Sequence, residues 1–486
     1  MSLLRWLGPI SVALVISLPL MAQDADIAER LFRSGERAYA TRAYLEAQET
    51  WNQLLQASPK SPFAAEALLC LARHQVEVEK KPEAALPFLD RIKTDHLKTP
   101  FAAEAMLLRG TILASRSHKP QELKEAIAEF NRVLDLFPDH PAVQSAHYQL
   151  GLAFRLQGQW GRALKSFTEA MRLDPVSPIA PVAQLQAAEV LDTMGDLHGC
   201  LRLLQGIRND FPQSPAAIEA EWRIGVRVKF RIQKPPLKSE GPWPKGKQKW
   251  LKTPTLLGTG PSGELFIYQD DLDQAFLLKD DTPVPMGALA KSAKALLVTP
   301  SGQPWLLTAK LGMVKEGGTS IPLGTFTAPT GAFLDGWGTL WVCDSKLGSL
   351  NLIAPDGAIR GIPSPSGVGI APLPSGGAVL ASDSNRALLF LDSAGQPRLT
   401  VPYGKDLPAP FKYILDLCSD PLGHVAAIVE GGDFDGVVVW GPDGAVLRSA
   451  TFKTLGIAGK FRAIAIDRQG GLILADRSND LLIRLN

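Results

Sequence analysis

The chain has 486 residues, too many for one compact core, and its 45% apolar and 21% charged composition is that of ordinary folded domains. Lysine and arginine number 51 against 49 acidic residues, and a net charge of +2 excludes any chain-wide attraction to nucleic acid. A collagen, a polytopic membrane protein and a disulfide-stapled miniprotein are excluded too: Cys70, Cys200, Cys343 and Cys418 are scattered without C-x-x-C spacing and read as small buried hydrophobes.

At the N-terminus Arg5 precedes an apolar run from Trp6 to Met21, closed by Ala22 and the polar pair Gln23-Asp24. That order predicts a secretory signal over 1–22. The run is short for a membrane span and is broken by Pro9 and Pro19. Leu20 is large for the −3 position, so the cut is left open, with a retained anchor as the alternative and the only expected membrane contact. No cysteine near the cut supports a lipid anchor. The body of the chain is expected to be exported, to the periplasm or the cell surface.

Small residues then recur at Gly35, Ala72, Gly110, Gly151, Ala188 and Gly225, 37 to 41 residues apart. In the fullest copy Gly151 is followed by Phe154, Gly158, Ala163, Phe167, Ala170 and Pro175. Small side chains let two antiparallel helices approach, an aromatic fills the gap, and proline ends the second helix. The same slots are read as Ala47, Trp51 and Pro59 in the first copy, and as Ala84 and Phe88 in the second. They are Ala126, Phe130 and Pro138 in the third, with an insertion around Ser117–Pro120, and Gly195, Cys200, Leu204 and Pro212 in the fifth.

These residues resemble the tetratricopeptide (TPR) consensus over residues 25–231, as five repeats and a closing helix within a domain spanning 23–231. The junctions Phe137-Pro138-Asp139-His140-Pro141 and Phe211-Pro212-Gln213-Ser214-Pro215 resemble those of exported bacterial TPR proteins in outer-membrane assembly and Tol-Pal systems. Proline stopping one helix and starting the next accounts for the same motif. The resemblance implies a groove lined by the first helix of each pair, with Glu36, Tyr39, Arg73, Glu77, Thr111, Arg155, Glu189 and Asp192 as groove-facing candidates for a protein or peptide partner. A solvated helix face is the other reading of the same positions.

Residues 226–252 carry nine basic side chains against Glu240 alone. With Pro235, Pro236, Pro242 and Pro244 in the stretch, 232–252 is predicted to be an extended basic linker, able to attract an anionic polymer or simply soluble. No aromatic stacking pattern accompanies the charge, and no nucleic-acid partner is expected.

From residue 253 the helical period gives way to short apolar segments between Gly, Asp, Pro and Ser turns. Six copies are anchored on Gly263, Gly302, Gly338, Gly376, Gly423 and Gly470, 36 to 47 residues apart. Each leads into a strand and then, in most copies, an acidic turn: Asp270, Asp344, Asp383 and Asp476, with Glu430 approximate and Ala309 breaking the series. Asp356-Gly357 and Asp443-Gly444 read as hairpin turns. The pattern resembles a six-bladed propeller of the NHL-repeat type over 253–486, and Lys247–Leu251 is expected to supply the missing outer strand. The fold class is therefore a multidomain α + β chain: an all-α TPR superhelix followed by an all-β six-bladed propeller.

Some six-bladed relatives are lactonases or lyases that gather histidines or metal ligands at one end of the channel. Six of the seven histidines here precede residue 200, leaving His424 alone in the propeller. The repeated aspartates read as turn caps before they read as a carboxylate ring, and Gly431–Gly436 reads as a loop before a calcium site. No nucleophile elbow, zinc pair, phosphate loop or dinucleotide fingerprint appears. No catalytic residue, metal site or cofactor is expected. The expectation is a non-catalytic exported scaffold with a second protein or glycan ligand on the propeller; the alternative is a lactonase- or lyase-like propeller with the TPR half as targeting arm.

Overall fold

Helices run as far as Gln233 and strands from Ser239 onward, with one further short helix at Phe452–Leu455. The computed structural model describes residues 13–115, 120–260, 263–279, 281–299, 301–308, 312–314, 320–321, 326–335, 338–354, 357–374 and 376–486. The first twelve residues of the expected signal, the insertion at 116–119, and Ala309 and Asp356 lie outside them. Among the described residues no helix is long and apolar enough to cross a membrane. The multidomain α + β class stands: a helical repeat region is followed by a β-propeller-like arrangement of sheets.

Two compact units divide at Leu150/Gly151. In the first unit Ala13–Ala40 packs on Tyr44–Ala57 and Pro62–Glu77 on Pro82–Asp95. Gly35 lies under the Trp51 ring and Gly110 under Phe130; a Cβ at either would come within 2.4 and 2.5 Å of the ring. The small-opposite-aromatic spacing thus has a steric cause. In the second repeat the buried slots are Ala85 and Leu89, and the expected Ala84 and Phe88 are displaced by one position. The reason is the turn: four residues separate Glu77 from Pro82, where three separate Ala40 from Tyr44.

The second unit begins with the same device, Gly151 under Phe167 at 2.4 Å from a would-be Cβ. Ala163, Ala170, Cys200 and Leu204 are fully buried as their slots require. Helices end two residues before Pro138, Pro175 and Pro212, since proline lacks the N–H that a continuing helix needs. Ser214 caps the closing helix Pro215–Arg227 by accepting from Ala217 N at 3.2 Å. A π-helix, Val228–Gln233, follows directly.

After it, the chain forms six four-stranded antiparallel sheets among the described residues. Their first strands are Pro254–Thr259, Ala295–Val298, Pro329–Leu334, Gly369–Pro372, Phe411–Ser419 and Phe461–Ile466. Each packs on the next, and the first packs on the last. The final sheet takes its fourth strand from Ser239–Pro242, which pairs antiparallel with Leu481–Leu485. The outer strand expected at Lys247–Leu251 is therefore supplied eight residues earlier. Leu237 and Leu251 are buried on either side of this strand, so the expected linker contributes to the sheet region. Pairing this strand removes an edge that would otherwise present unpaired N–H and C=O groups.

The anchor glycines share one geometry: Gly263, Gly302, Gly338, Gly376, Gly423 and Gly470 all have φ between +71° and +89°. Three residues before three of them stands an aspartate, Asp335, Asp420 or Asp467, whose Oδ1 accepts backbone N–H groups across the turn at 2.7–2.9 Å. This D-x-x-G spacing was in the sequence but is masked there by the later, commoner aspartates.

Inner strands are also joined by side chains. Asp416 Oδ2 accepts from Ile464 N at 2.8 Å, and Thr330 Oγ1 donates to Gly367 O at 2.7 Å. Burial pushes the Asp416 carboxyl from 3.8 up to about 7, against the backbone N–H groups of Ile464 and Leu417. The folded state then binds a proton more tightly than the unfolded one, so stability falls as pH rises between those two values. Asp416→Asn keeps an acceptor for Ile464 N and is expected to flatten that slope, gaining on the parent as pH rises; melting curves across this range check it.

Candidate functional site

Four of the candidate residues meet in the first unit. Glu36, Tyr39, Arg73 and Glu77 line a cavity of about 490 Å³ floored by Trp51 and Cys70. Arg73 and Glu77 also line a second, of about 440 Å³, with Glu104, Thr111 and His140. Both cavities thus lie along the first helices of successive pairs, on the face that the consensus spacing assigns to the groove. The Arg73 guanidinium donates to the Glu104 carboxylate on the next repeat, a partner the sequence reading omitted. The Tyr39 ring lies tilted against Trp51 at 5.5 Å and against Tyr44 at 5.0 Å between centroids. Burial, and then the Glu77 carboxylate, push its phenol above the ordinary value.

Arg155, Glu189 and Asp192 lie in the second unit, in a different setting. Glu189 and Asp192 sit one turn apart on Ile179–Thr193 and face a stripe of arginines at Arg223, Arg227 and Arg231. Arg227, 0% exposed, donates Nη2 to Glu189 Oε2 at 2.7 Å and Nε to Asp192 Oδ2 at 2.9 Å. Arg223 reaches Glu189 Oε1 at 2.9 Å, and Arg231 bonds the other Asp192 oxygen. These two carboxylates are engaged inside the protein. Likewise Arg227 is buried and Arg231 half-buried, though both are counted in sequence with the solvated basic segment. Lys229 donates to Gln469 O and Gly470 O. Lys245, Lys247 and Lys249 remain exposed. The four-residue spacing of the arginines was the legible signal, since it puts all three on one helical face.

These three candidates line one further cavity. Arg155, Glu189 and Asp192 face Trp160, Arg398, Phe390 and the turn residues Leu373, Pro374, Leu422 and Pro442 across about 240 Å³. Nothing in the repeat pattern announces the sheet residues, because they come from strands and turns of two different sheets.

His424 is 0% exposed, its Nδ1–H donating to Asp420 Oδ2 at 2.7 Å and its ring 4.8 Å from Phe230. The repeated aspartates are engaged in local hydrogen bonds, Asp344 and Asp476 to backbone and Asp383 and Asp270 to side-chain hydroxyls. Asp344 Oδ2 accepts from Thr327 N and Ala328 N at 2.7 and 3.0 Å, and Oδ1 from Lys346 N and Leu347 N at 2.9 and 3.1 Å. Asp476 accepts from Lys460 N, Ser478 N and Asn479 N in the same way. Asp383 accepts from Tyr403 Oη at 3.1 Å, and Asp270 from Thr255 Oγ1 at 3.1 Å. In the Gly431–Gly436 loop, Asp435 accepts from Gly431 N at 2.7 Å and Phe434 is buried. Among the described residues, no three His, Cys, Asp or Glu side chains gather as a metal-ligand set.

Asp344→Ala would leave four N–H groups without an acceptor, and a loss of about 3 kcal/mol or more is expected in denaturant titration. Burial alone would raise the Asp344 carboxyl, but these N–H bonds hold it below 3.8. The stabilisation is therefore full above the ordinary aspartate range and lost as pH falls through the lowered folded value, and the gap between parent and variant should narrow there.

Residues 144–175 match the tetratricopeptide repeat family. No curated protein matches the chain. Among solved structures, the chain is similar to a gluconolactonase from Xanthomonas campestris (13% identity, TM-score 0.38), the alignment covering 52% of this chain and 94% of that one. Virginiamycin B lyase from Staphylococcus aureus aligns at 13% identity and TM-score 0.34, over 51% of this chain and 98% of that chain. YrrB, described as a TPR protein with an unusual peptide-binding site, aligns at 17% identity and TM-score 0.31, over 39% of this chain and 90% of its own.

Proposed function

We propose that this protein is an exported, non-catalytic scaffold. In this reading the helical repeats hold an extended segment of a protein partner, and the sheet region, a six-bladed NHL-type propeller, presents a second recognition face for a protein or glycan. The observation that carries it is the pair of adjoining cavities sharing Arg73 and Glu77, with an aromatic floor and charges of both signs along the edge. Such a lining suits a peptide whose backbone and charged side chains are both gripped. The burial of His424 and the backbone-bound carboxylates of Asp344 and Asp476 favour it over the lactonase- or lyase-like alternative, since no proton-transferring group among them stands open to a substrate.

Affinity capture from the envelope fraction of the source cell, with the full chain as bait, tests the reading. A partner retained by the parent and lost when Tyr39→Ala, Arg73→Glu and Glu77→Arg are combined supports it. Unchanged capture moves the site out of the groove. Tightly held divalent metal in the purified chain would favour the enzyme alternative instead.

A further inference from the structure

The pocket of the second unit has a composition that the groove lacks. Its walls are apolar and aromatic, with Trp160 on a helix facing Phe390, Leu391 and Leu422 of the sheets. The turns at Leu373-Pro374 and Pro442 close it to about 240 Å³, too confined for an extended peptide to run through. The acidic side chains in its lining are neutralised: Glu189 and Asp192 are matched by Arg223, Arg227 and Arg231, and Arg223 also pairs with Glu219. Arg398 adds positive charge at the pocket edge. Arg398 is solvent-accessible, lies 5.0 Å over the Trp160 ring, and has no carboxylate within ion-pair distance among the described residues.

We propose that this pocket binds a small amphiphilic anion, an aliphatic or aromatic carboxylate, with its apolar body between Trp160, Phe390 and Leu422 and its carboxylate on Arg398. The apolar walls favour burial of a hydrocarbon group of modest size. The planar guanidinium, held against Trp160 by stacking, offers a bidentate donor pair to a carboxylate at the pocket edge. A cationic ligand meets the wrong field, and a fully apolar one leaves Arg398 without a counter-ion. The site is separate from the peptide groove and stands or falls without it.

Titration calorimetry of the full chain with a graded series of straight-chain carboxylates, butyrate to decanoate, and with 3-phenylpropionate provides the test, the matching amines serving as controls. Saturable one-to-one binding of at least one acid is expected, with no binding of its amine. Arg398→Ala should weaken that acid roughly tenfold or more, as loss of a charged hydrogen-bond donor does. Thr193→Phe, which fills the pocket from an exposed helical position, should abolish binding. Retained melting transitions show that both variants fold. The assignment is overturned if no acid of the series binds saturably, if the amines bind as well, or if both folded variants keep the parent's affinity.

Discussion

Arg227→Ala is expected to destabilise the second unit by about 3–5 kcal/mol, the range for removing one partner of a buried ion network. Arg227 has no exposed surface and bonds both Glu189 and Asp192. Its loss leaves two carboxylates in the interior with one guanidinium each, and burying a poorly compensated charge costs more than the pair itself contributed. The pH dependence gives a second signature. Burial alone would raise the Glu189 carboxyl, but Arg227 and then Arg223 override it and hold the carboxyl below the ordinary glutamate value. In the parent that stabilisation is complete above the unfolded-state value and disappears as pH falls through the lower folded one. In the variant, protonation relieves the stranded charge, so the difference between the two proteins should shrink on acidification. Chemical denaturation at neutral and acid pH measures both effects. A loss below about 1 kcal/mol at neutral pH, the size of a surface pair, would show that the network does not hold this unit together.

A comparable loss, about 3–5 kcal/mol, is expected for Phe230→Ala on cavity grounds. Phe230, fully buried on the π-helix, packs its ring against His424 at 4.8 Å, beneath Arg448 at 5.6 Å, and over Gly470. The fit at Gly470 is tight: a Cβ there would stand 2.8 Å from Phe230 Cε2, and its φ of +71° is one that side-chain-bearing residues rarely adopt. Gly470→Ala should therefore also destabilise, through both contact and backbone. The change at Phe230 additionally uncovers Arg448, a nearly buried guanidinium with Nε and Nη1 unpartnered among the described residues. Burial pushes that guanidinium down to about 10. Thermal melting together with limited proteolysis near Lys234–Lys238 distinguishes a global loss from local release of the helix end. Unchanged melting and cleavage would show that the ring is not the joint between closing helix and sheets.

Much of this architecture was legible because it rests on short-range steric rules. Gly151 and Phe167 could be paired on paper, since a fixed spacing on two antiparallel helices leaves one position without room for a Cβ. The turn glycines were equally visible, their positive φ being a local property. Where a turn gained one residue, between Glu77 and Pro82, the fixed spacing misassigned Ala84 and Phe88 for Ala85 and Leu89. The outer strand at Ser239–Pro242 escaped because its partner lies at the other end of the sheet region and its own sequence does not alternate. Of the candidate site, Glu36, Tyr39, Arg73 and Glu77 come together as the repeat geometry implies. Glu189 and Asp192 could not be recognised as internal, because charge sign alone does not reveal that an arginine stripe on the next helix faces them. Trp160 and Arg398 meet only in three dimensions.

The strand Ser239–Pro242 has a consequence for how the molecule is made. Its partner is the distant strand Leu481–Leu485, and beside it Lys238 N donates to Asn486 Oδ1, 248 residues away in sequence. During synthesis this segment leaves the ribosome long before the residues it must meet. Until then the final sheet lacks a side, and the closing strands have no neighbour. A chain shortened by even one strand at either side of the join presents a bare β-edge to the crowd of other nascent chains, and such edges recruit foreign strands.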